Sequence, residues 1–303
     1  GSILKPVISL ALVLTLAPTT LLAADEFEPR NRIDVHVTAK VSYKSKENTF
    51  TYRYTVANGK DAKQSVWRLR VSMPDEGLAG EISRPDGWFK PRYTPKGMGW
   101  NPALRSLAFV SWASQPPFHI APGQKEKGFS FNSTASLPGI VDYYVEGYAP
   151  PPKFPPGGAP DGPIPGYDDL TPYGPGVVGR TIGPVKPPAP LIPAVFVDYL
   201  IGMVEEATRL GWIRDKETRH SLLVDLKEAK AALLRGDIKA ARKKLKDALD
   251  GVRVGEHGEE DGRKEKDKDN RGGEDKESSS EGAALLRYNL RYLIAGLQSP
   301  DKD

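Results

Sequence analysis

Apolar and polar residues alternate one by one through residues 31–148, and this alternation constrains the fold more than any other feature of the chain. The start of the pattern shows it plainly, with the residues Ile33, Asp34, Val35, His36, Val37, Thr38 and Ala39. Successive side chains of a β-strand point to opposite faces of the sheet. The alternation therefore predicts strands with one buried and one solvent-facing side.

Short strand-like runs and turn signals follow one another through this region. Further runs lie at 50–56, 67–73, 107–113, 128–132 and 140–147. The dipeptides between or beside these runs that favour turns are Asn58-Gly59, Pro122-Gly123 and Pro138-Gly139. Six or seven short strands of this kind match the size of an immunoglobulin-like or fibronectin-like domain. We therefore predict an all-β sandwich of immunoglobulin-like type over residues 25–149.

Residues 150–192 form a connector rich in proline and glycine. More than half of the 28 prolines of the chain lie between Pro150 and Pro193. Proline lacks the backbone donor and fixes φ, and glycine adopts many conformations, so the connector is predicted to form no regular secondary structure. It would be a free spacer or a strap along the sandwich. Large apolar residues such as Phe154 and Ile182 favour partial docking.

The apolar spacing changes to that of helices after the connector. The first helix is expected to begin its apolar stripe at Phe196. Asp215 and Asp237 are predicted N-caps of the second and third helices, and Gly236 is predicted to end the second. A fourth helix is expected at 281–297.

These helices predict a small all-α bundle formed by residues 193–254 and 281–298, a second domain in a multidomain chain. Small and aliphatic residues recur through it as Gly211, Trp212, Ile213, Ser221, Leu222, Leu223, Leu226, Ala229, Gly236, Ala240, Ala241, Leu245 and Val252. This spacing resembles that of the helical modules, of the FIMAH and FIVAR kind, at the ends of many bacterial secreted multidomain proteins. The resemblance implies contacts with a surface or a partner rather than catalysis. Residues 120–124, 128–131 and 137–139 similarly resemble the late strands of bacterial extracellular sandwich domains.

A long charged insertion at 255–280 departs from the usual pattern of such modules. It consists almost entirely of Glu, Asp, Lys, Arg, Gly and Ser. Because it has almost no apolar side chains to bury, nothing offsets the entropy lost on ordering, and we predict that it is disordered.

Residues 1–24 have the features of a secretory signal peptide. Lys5 precedes an apolar run, and Ala23 and Ala24 follow it. Pro18 interrupts the run before the roughly 20 residues that a membrane span needs, which disfavours a transmembrane anchor. We predict cleavage near Ala24 and a secreted or periplasmic mature chain without a transmembrane segment. The lack of cysteine fits a bacterial exported protein, because small exported domains of animals commonly carry disulfides.

An aromatic segment at 88–100 interrupts the alternation and contains the candidate ligand-binding residues Trp88, Phe89, Tyr93 and Trp100. Aromatic side chains on an irregular loop can stack on sugar rings or on apolar groups of a partner. The alternative is that the same rings plug the open end of the sandwich.

Catalytic and metal-binding motifs do not stand out. The string at 174–179 matches GxGxxG, but proline-rich flanks replace the strand and helix that dinucleotide binding requires. The four histidines lack metal-ligand spacing. A dispersed triad such as Ser111, His119 and Asp142 is the kind of set that any serine-containing domain offers. We expect no cofactor and no metal, and we predict that the chain is not an enzyme.

The charge pattern does not indicate a nucleic-acid-binding protein. The net charge is +4, and aspartates dilute the basic face of the third helix. We predict an exported, non-catalytic binding or scaffold protein whose partner is an unknown protein or cell-surface polymer. A carbohydrate-binding accessory module, with a glycan on the aromatic segment, is the first alternative. A hydrolase with a dispersed active site is the second.

Overall fold

The computed structural model describes residues 32–73, 81–99, 104–134, 136–149, 176–257 and 280–297. These residues form nine β-strands, four α-helices and a short 3-10 helix at Ser45–Glu47. The strands are β1 (Val35–Lys44), β2 (Thr49–Asn58), β3 (Val66–Met73), β4 (Ile82–Ser83), β5 (Arg92–Thr94), β6 (Ala108–Ala113), β7 (Lys125–Thr134), β8 (Leu137–Gly147) and β9 (Val177–Val185). The helices are α1 (Pro193–Arg209), α2 (Lys216–Leu234), α3 (Ile238–His257) and α4 (Glu281–Gly296).

The strands form two antiparallel sheets. The four-stranded sheet has the order β1-β2-β7-β4, and the five-stranded sheet has the order β5-β6-β3-β8-β9. The period-two prediction is confirmed on β1, where Val37, Ala39 and Val41 are buried and the residues between them are exposed.

Aromatic side chains fill the space between the two sheets. The ring of Trp112 on β6 lies 5.8 Å from that of Phe129 and 6.3 Å from that of Phe131, both on β7. Tyr54 on β2 lies 6.3 Å from the same tryptophan. Because these large rings are almost completely buried, the two sheets share one hydrophobic core.

Strand β9 corrects the prediction that the whole connector lacks regular structure. Residues 177–185 pair with β8 along their length, and Pro184 lies opposite Pro138. Residues at a non-hydrogen-bonded pair of an antiparallel ladder do not donate to each other. Because neither proline has an N–H, this pair fits such a position without the loss of a hydrogen bond between β8 and β9. The turn expected at Pro138-Gly139 is also wrong, because both residues lie inside β8.

The glycines of β9 are covered by side chains from β8. Gly179 lies opposite Tyr143, and the end of that phenol ring occupies the place of a Cβ on the glycine. The last three residues of the GxGxxG string are the first three residues of β9, so a strand stands where dinucleotide binding requires a helix. The predicted signal peptide, residues 150–175 of the connector and residues 258–279 of the insertion lie outside the described residues.

The helix ends follow the predicted caps. The Asp215 carboxylate accepts a 2.7 Å hydrogen bond from the backbone N–H of Thr218, and Asp237 accepts one of 2.9 Å from Ala240. Gly236 ends α2 with a φ of +77°. Helix α3 continues to His257, past the predicted boundary at 254. None of the described helices is both long and apolar enough to cross a membrane.

Helix α4 joins the helices to the sheets. Residues 282–290 are buried without interruption, as is typical of a helix surrounded on all sides. The helix contacts α1 and α3 on one side and β1, β8 and β9 on the other. The Tyr288 ring meets the Phe50 ring edge-on at 5.0 Å. The chain is thus a mixed assembly in which four helices and two sheets bury a common core.

Candidate functional site

The structure separates the residues of the predicted aromatic segment. Trp88 is only 3% exposed and packs edge-on against Phe129, with ring centroids 4.8 Å apart. Tyr93, on β5, is half-buried against the core. Phe89 is 49% exposed. Trp100 lies outside the described residues. Of the predicted residues that are described, Phe89 therefore offers the most accessible ring, and ligand binding at this segment stays a prediction.

A second exposed ring, which the sequence analysis did not single out, lies beside this segment. Phe118 covers Gly87, whose φ of +77° and lack of a side chain make room for the ring. The backbone N–H of Phe89 donates to the carbonyl of Ala113, which brings the two turns together. We call Phe89 and Phe118 the aromatic turn surface. The sequence signal for it is an aromatic residue after the paired prolines at 116 and 117.

His119 bonds to a serine, but not to the serine of the predicted alternative triad. Its Nδ1 lies 2.8 Å from Oγ of Ser114, and that hydroxyl lies 3.2 Å from the carbonyl oxygen of Trp67. Both contacts are satisfied when Nδ1–H donates to the serine and the serine donates to the carbonyl. Burial lowers the pKa of His119, because the charged ring would lose its hydration.

The residues Ser111, His119 and Asp142 do not come together. The backbone N–H of Asp142 donates to Oγ of Ser72 near one end of β3, and its carboxylate accepts from Arg180. His119 instead precedes Ile120, which pairs with Val66 at the other end of β3. Six residues of strand separate these places by about 20 Å. Among the described residues, no three histidine, aspartate or glutamate side chains are placed together to hold a metal ion.

A buried ion pair links β3 and β8. Arg70 donates to Glu146 at 2.7 Å, and Arg68 lies 3.7 Å from the same carboxylate. Glu146 and Arg70 are almost fully buried. Since both charges have partners, the arrangement is that of a structural pair holding two central strands together.

An apolar cavity of about 280 Å³ lies where the five-stranded sheet meets the helices, and we call it the seam cavity. Its apolar lining includes Leu137, Val185, Pro188, Pro190, Ile192 and Val195. Val195, on the first turn of α1, is 61% exposed at the rim. Pro188 and Pro190 of the connector, which the sequence analysis expected to be a free spacer or a strap along the sandwich, thus form one wall of a concave surface.

Two polar side chains also line the seam cavity. Asn289 of α4 is 1% exposed, and its Nδ2 donates to the carbonyls of Pro138 and Leu285, both at 2.7 Å. Tyr199 of α1 is partly exposed, and burial of its phenol raises the pKa above the ordinary value of 10.0. The phenol therefore stays protonated at neutral pH and can donate a hydrogen bond.

The one charged side chain in the lining is Lys186, which follows β9. Apolar walls with a few polar groups are the usual composition of a small-molecule site. No feature of the alternation or helical pattern predicted this cavity, because its walls come from four separate segments: β8, the connector, α1 and α4.

No family model and no curated protein matches the sequence. The resemblance of the helices to FIMAH and FIVAR modules stays a prediction. The seam cavity and the aromatic turn surface are therefore the features from which a function can be inferred.

Proposed function

We propose that this chain is an exported bacterial binding protein without catalytic activity, and that a small apolar ligand binds in the seam cavity. The observation that carries the proposal is the cavity itself, which is concave, apolar and open at the rim. An apolar surface left open to water is unfavourable for a monomer, and such surfaces commonly mark binding sites. Export rests on the signal-peptide features of residues 1–24.

An immunoglobulin-like sandwich carrying a FIMAH- or FIVAR-type helical module is the architecture that we propose for this function. The neighbours β1-β2-β7 and β3-β8-β9 correspond in order to strands A-B-E and C-F-G of immunoglobulin domains, which supports the first part. The short β4, which lies beside β7, precedes β5 and β6 in the chain and departs from that pattern. The four helices and their small, aliphatic residues support the second part.

The test uses N-phenyl-1-naphthylamine, an uncharged dye whose fluorescence rises in apolar surroundings. We expect the full-length protein to bind the dye, and we expect Val195→Glu to weaken binding at least tenfold by placing a carboxylate at the rim. The new acid lies in the first turn of α1, where the helix dipole tolerates it.

Val224→Glu is the matched control. Val224 is also an exposed helical valine, at 38%, but it lies on α2 and does not line the seam cavity. We expect this variant to bind the dye like the unaltered protein. Equal dye binding by both variants, or no binding by the unaltered protein, would overturn the proposal.

Carbohydrate binding at the aromatic turn surface is a second candidate function, favoured by the exposure of Phe89 and Phe118. Exposed rings can stack on the apolar faces of sugars. We expect Phe118→Ala to reduce retention on an insoluble polysaccharide, whereas Val224→Ala, at an exposed site elsewhere, should leave retention unchanged. The absence of retention on any polysaccharide would exclude this candidate.

A further inference from the structure

We propose that the seam cavity selects uncharged ligands that carry a hydrogen-bond donor, and that Oδ1 of Asn289 accepts this hydrogen bond. The inference rests on the proposed binding function and names the class of ligand: a compact apolar ring or chain with one N–H or O–H group.

The orientation of the Asn289 amide is fixed by its neighbours. Its two contacts, at 2.7 Å each, are to backbone carbonyl oxygens, which can only accept hydrogen bonds. The group facing them must therefore be the NH₂ group, and both of its protons are used. The other end of the amide must be the carbonyl oxygen.

This carbonyl oxygen is the part of the amide that stays available. Among the described residues, no donor lies within hydrogen-bond distance of Oδ1 of Asn289, and this oxygen is not completely closed off from solvent in the cavity that the residue lines. A ligand without a donor would shut water out from this oxygen and leave it unpaired, which is unfavourable, whereas a ligand that supplies a donor replaces the hydrogen bond to water. A ligand with only acceptors would instead face the oxygen with its own lone pairs.

The place of Pro138 in the sheet explains why its carbonyl accepts a hydrogen bond from Asn289. The carbonyl of Pro138 belongs to the first residues of β8, whereas β3 pairs with β8 only from Tyr143 onward. The Asn289 amide supplies the donor that β3 does not provide at that point. The same interaction that docks α4 on the sheet thus turns Oδ1 away from the carbonyls.

The size and the walls of the cavity restrict the size and the charge of the ligands that fit. A volume of about 280 Å³ equals that of roughly nine water molecules in the liquid, so a bicyclic ring of about ten non-hydrogen atoms fits inside. The larger dye N-phenyl-1-naphthylamine would extend from the cavity through its open rim, where Val195 lies. Proline and aliphatic walls disfavour a charged ligand, because they cannot replace its hydration, and Lys186, the one charged residue of the lining, already has an interaction of its own.

Two probes of the same shape test the proposal. Indole carries a ring N–H, and 1-benzofuran has an oxygen atom in its place. Both are titrated against the full-length protein with N-phenyl-1-naphthylamine bound. We expect indole to displace the dye at a concentration about tenfold lower than benzofuran, the effect of one hydrogen bond to an acceptor that the ligand covers.

The outcomes separate this proposal from the binding function. Displacement by both probes at equal concentrations, or more readily by benzofuran, would overturn the role of Asn289 and leave the cavity as a binding site. A dye that does not bind, or that binds Val195→Glu unchanged, would remove the binding function itself.

A variant distinguishes Asn289 from the other polar group of the cavity. Tyr199→Phe removes the phenol and leaves the asparagine in place. The preference for indole is expected to persist in this variant. Its loss would assign the preference to Tyr199 and contradict the proposal.

Discussion

Oε1 of Glu281 accepts a 2.6 Å hydrogen bond from the backbone N–H of Ala39, which ties the first turn of α4 to the middle of β1. β1 is an edge strand, so its outward N–H groups have no neighbouring strand within the sheet. A helix that covers this edge and offers an acceptor satisfies one of them.

Glu281→Ala tests this contact. We expect the free energy of unfolding, measured by chemical denaturation, to fall by about 2 kcal/mol, because a hydrogen bond to a charged group is lost. Glu281→Gln keeps an acceptor oxygen and should lose clearly less. Equal losses in both variants, or no loss in the alanine variant, would show that the contact does not stabilise the fold.

Gly282→Ala tests the close approach of α4 to the α1–α2 loop. A Cβ on Gly282 would lie 2.9 Å from the backbone oxygen of Trp212, so the helix has to move. We expect a loss of about 1–3 kcal/mol in the free energy of unfolding.

The control for this substitution is Gly202→Ala in α1, where nothing lies within 4 Å of the new Cβ. Alanine is the better helix former, and we expect a gain of about 0.5–1 kcal/mol. A stabilising effect at Gly282 would mean that α4 does not pack as described.

The buried and the exposed ion pair of β8 are expected to differ sharply in how much each contributes to the free energy of unfolding. Glu146→Ala leaves Arg70 buried without its nearest partner, and we expect a loss of about 3–5 kcal/mol in the free energy of unfolding. Asp142→Ala removes the nearest partner of Arg180 in a pair about one-third exposed and leaves Glu206 4.0 Å from the guanidinium, and we expect a loss below about 1 kcal/mol. Similar losses at the two sites would contradict the burial of Glu146.

The pKa of His119 makes a definite contribution to the dependence of stability on pH. It lies below the ordinary value of 6.5 because burial disfavours the charged ring. Below pH 6.5 the unfolded chain therefore binds a proton that the folded chain does not, so the stability of the fold decreases as the pH falls through this range. Above pH 6.5 the contribution is constant.

We expect His119→Phe to lose less stability than the unaltered protein between about pH 7 and about pH 5. Denaturation curves at these two pH values give the comparison. A steeper fall in the variant would show that protonation of His119 favours the folded chain.

Local signals in the sequence predicted the local structure well. The alternation from Ile33 predicted the faces of β1, and the carboxylates of Asp215 and Asp237 cap the helices that follow them. These features depend on residues within one turn or one strand. They were therefore open to prediction from the sequence alone.

The features missed by the sequence analysis depend on pairing between distant segments. β9 contains Pro184, which argues against a strand until it is known to face Pro138. The seam cavity needs β8, the connector, α1 and α4 together, and no single stretch carries its signal.

The contact between α4 and the sheets, which the sequence analysis also missed, does have a signal in the sequence. Ala283, Ala284, Leu285 and Leu286 place apolar side chains around the whole circumference of α4. Such a helix must be buried on every side, and a small bundle covers a helix on one side only. The contact between α4 and the sheets could have been predicted from this run.

Equilibrium unfolding of Trp212→Phe tests the central claim, that α4 makes the sheets and helices one cooperative unit. This variant keeps tryptophans only at 67, 88, 100 and 112, so fluorescence reports on the sheet region, while circular dichroism at the helical band reports on the helices. The account predicts coincident transitions by both probes in denaturant. Loss of the helical signal while the tryptophan fluorescence stays native would contradict it.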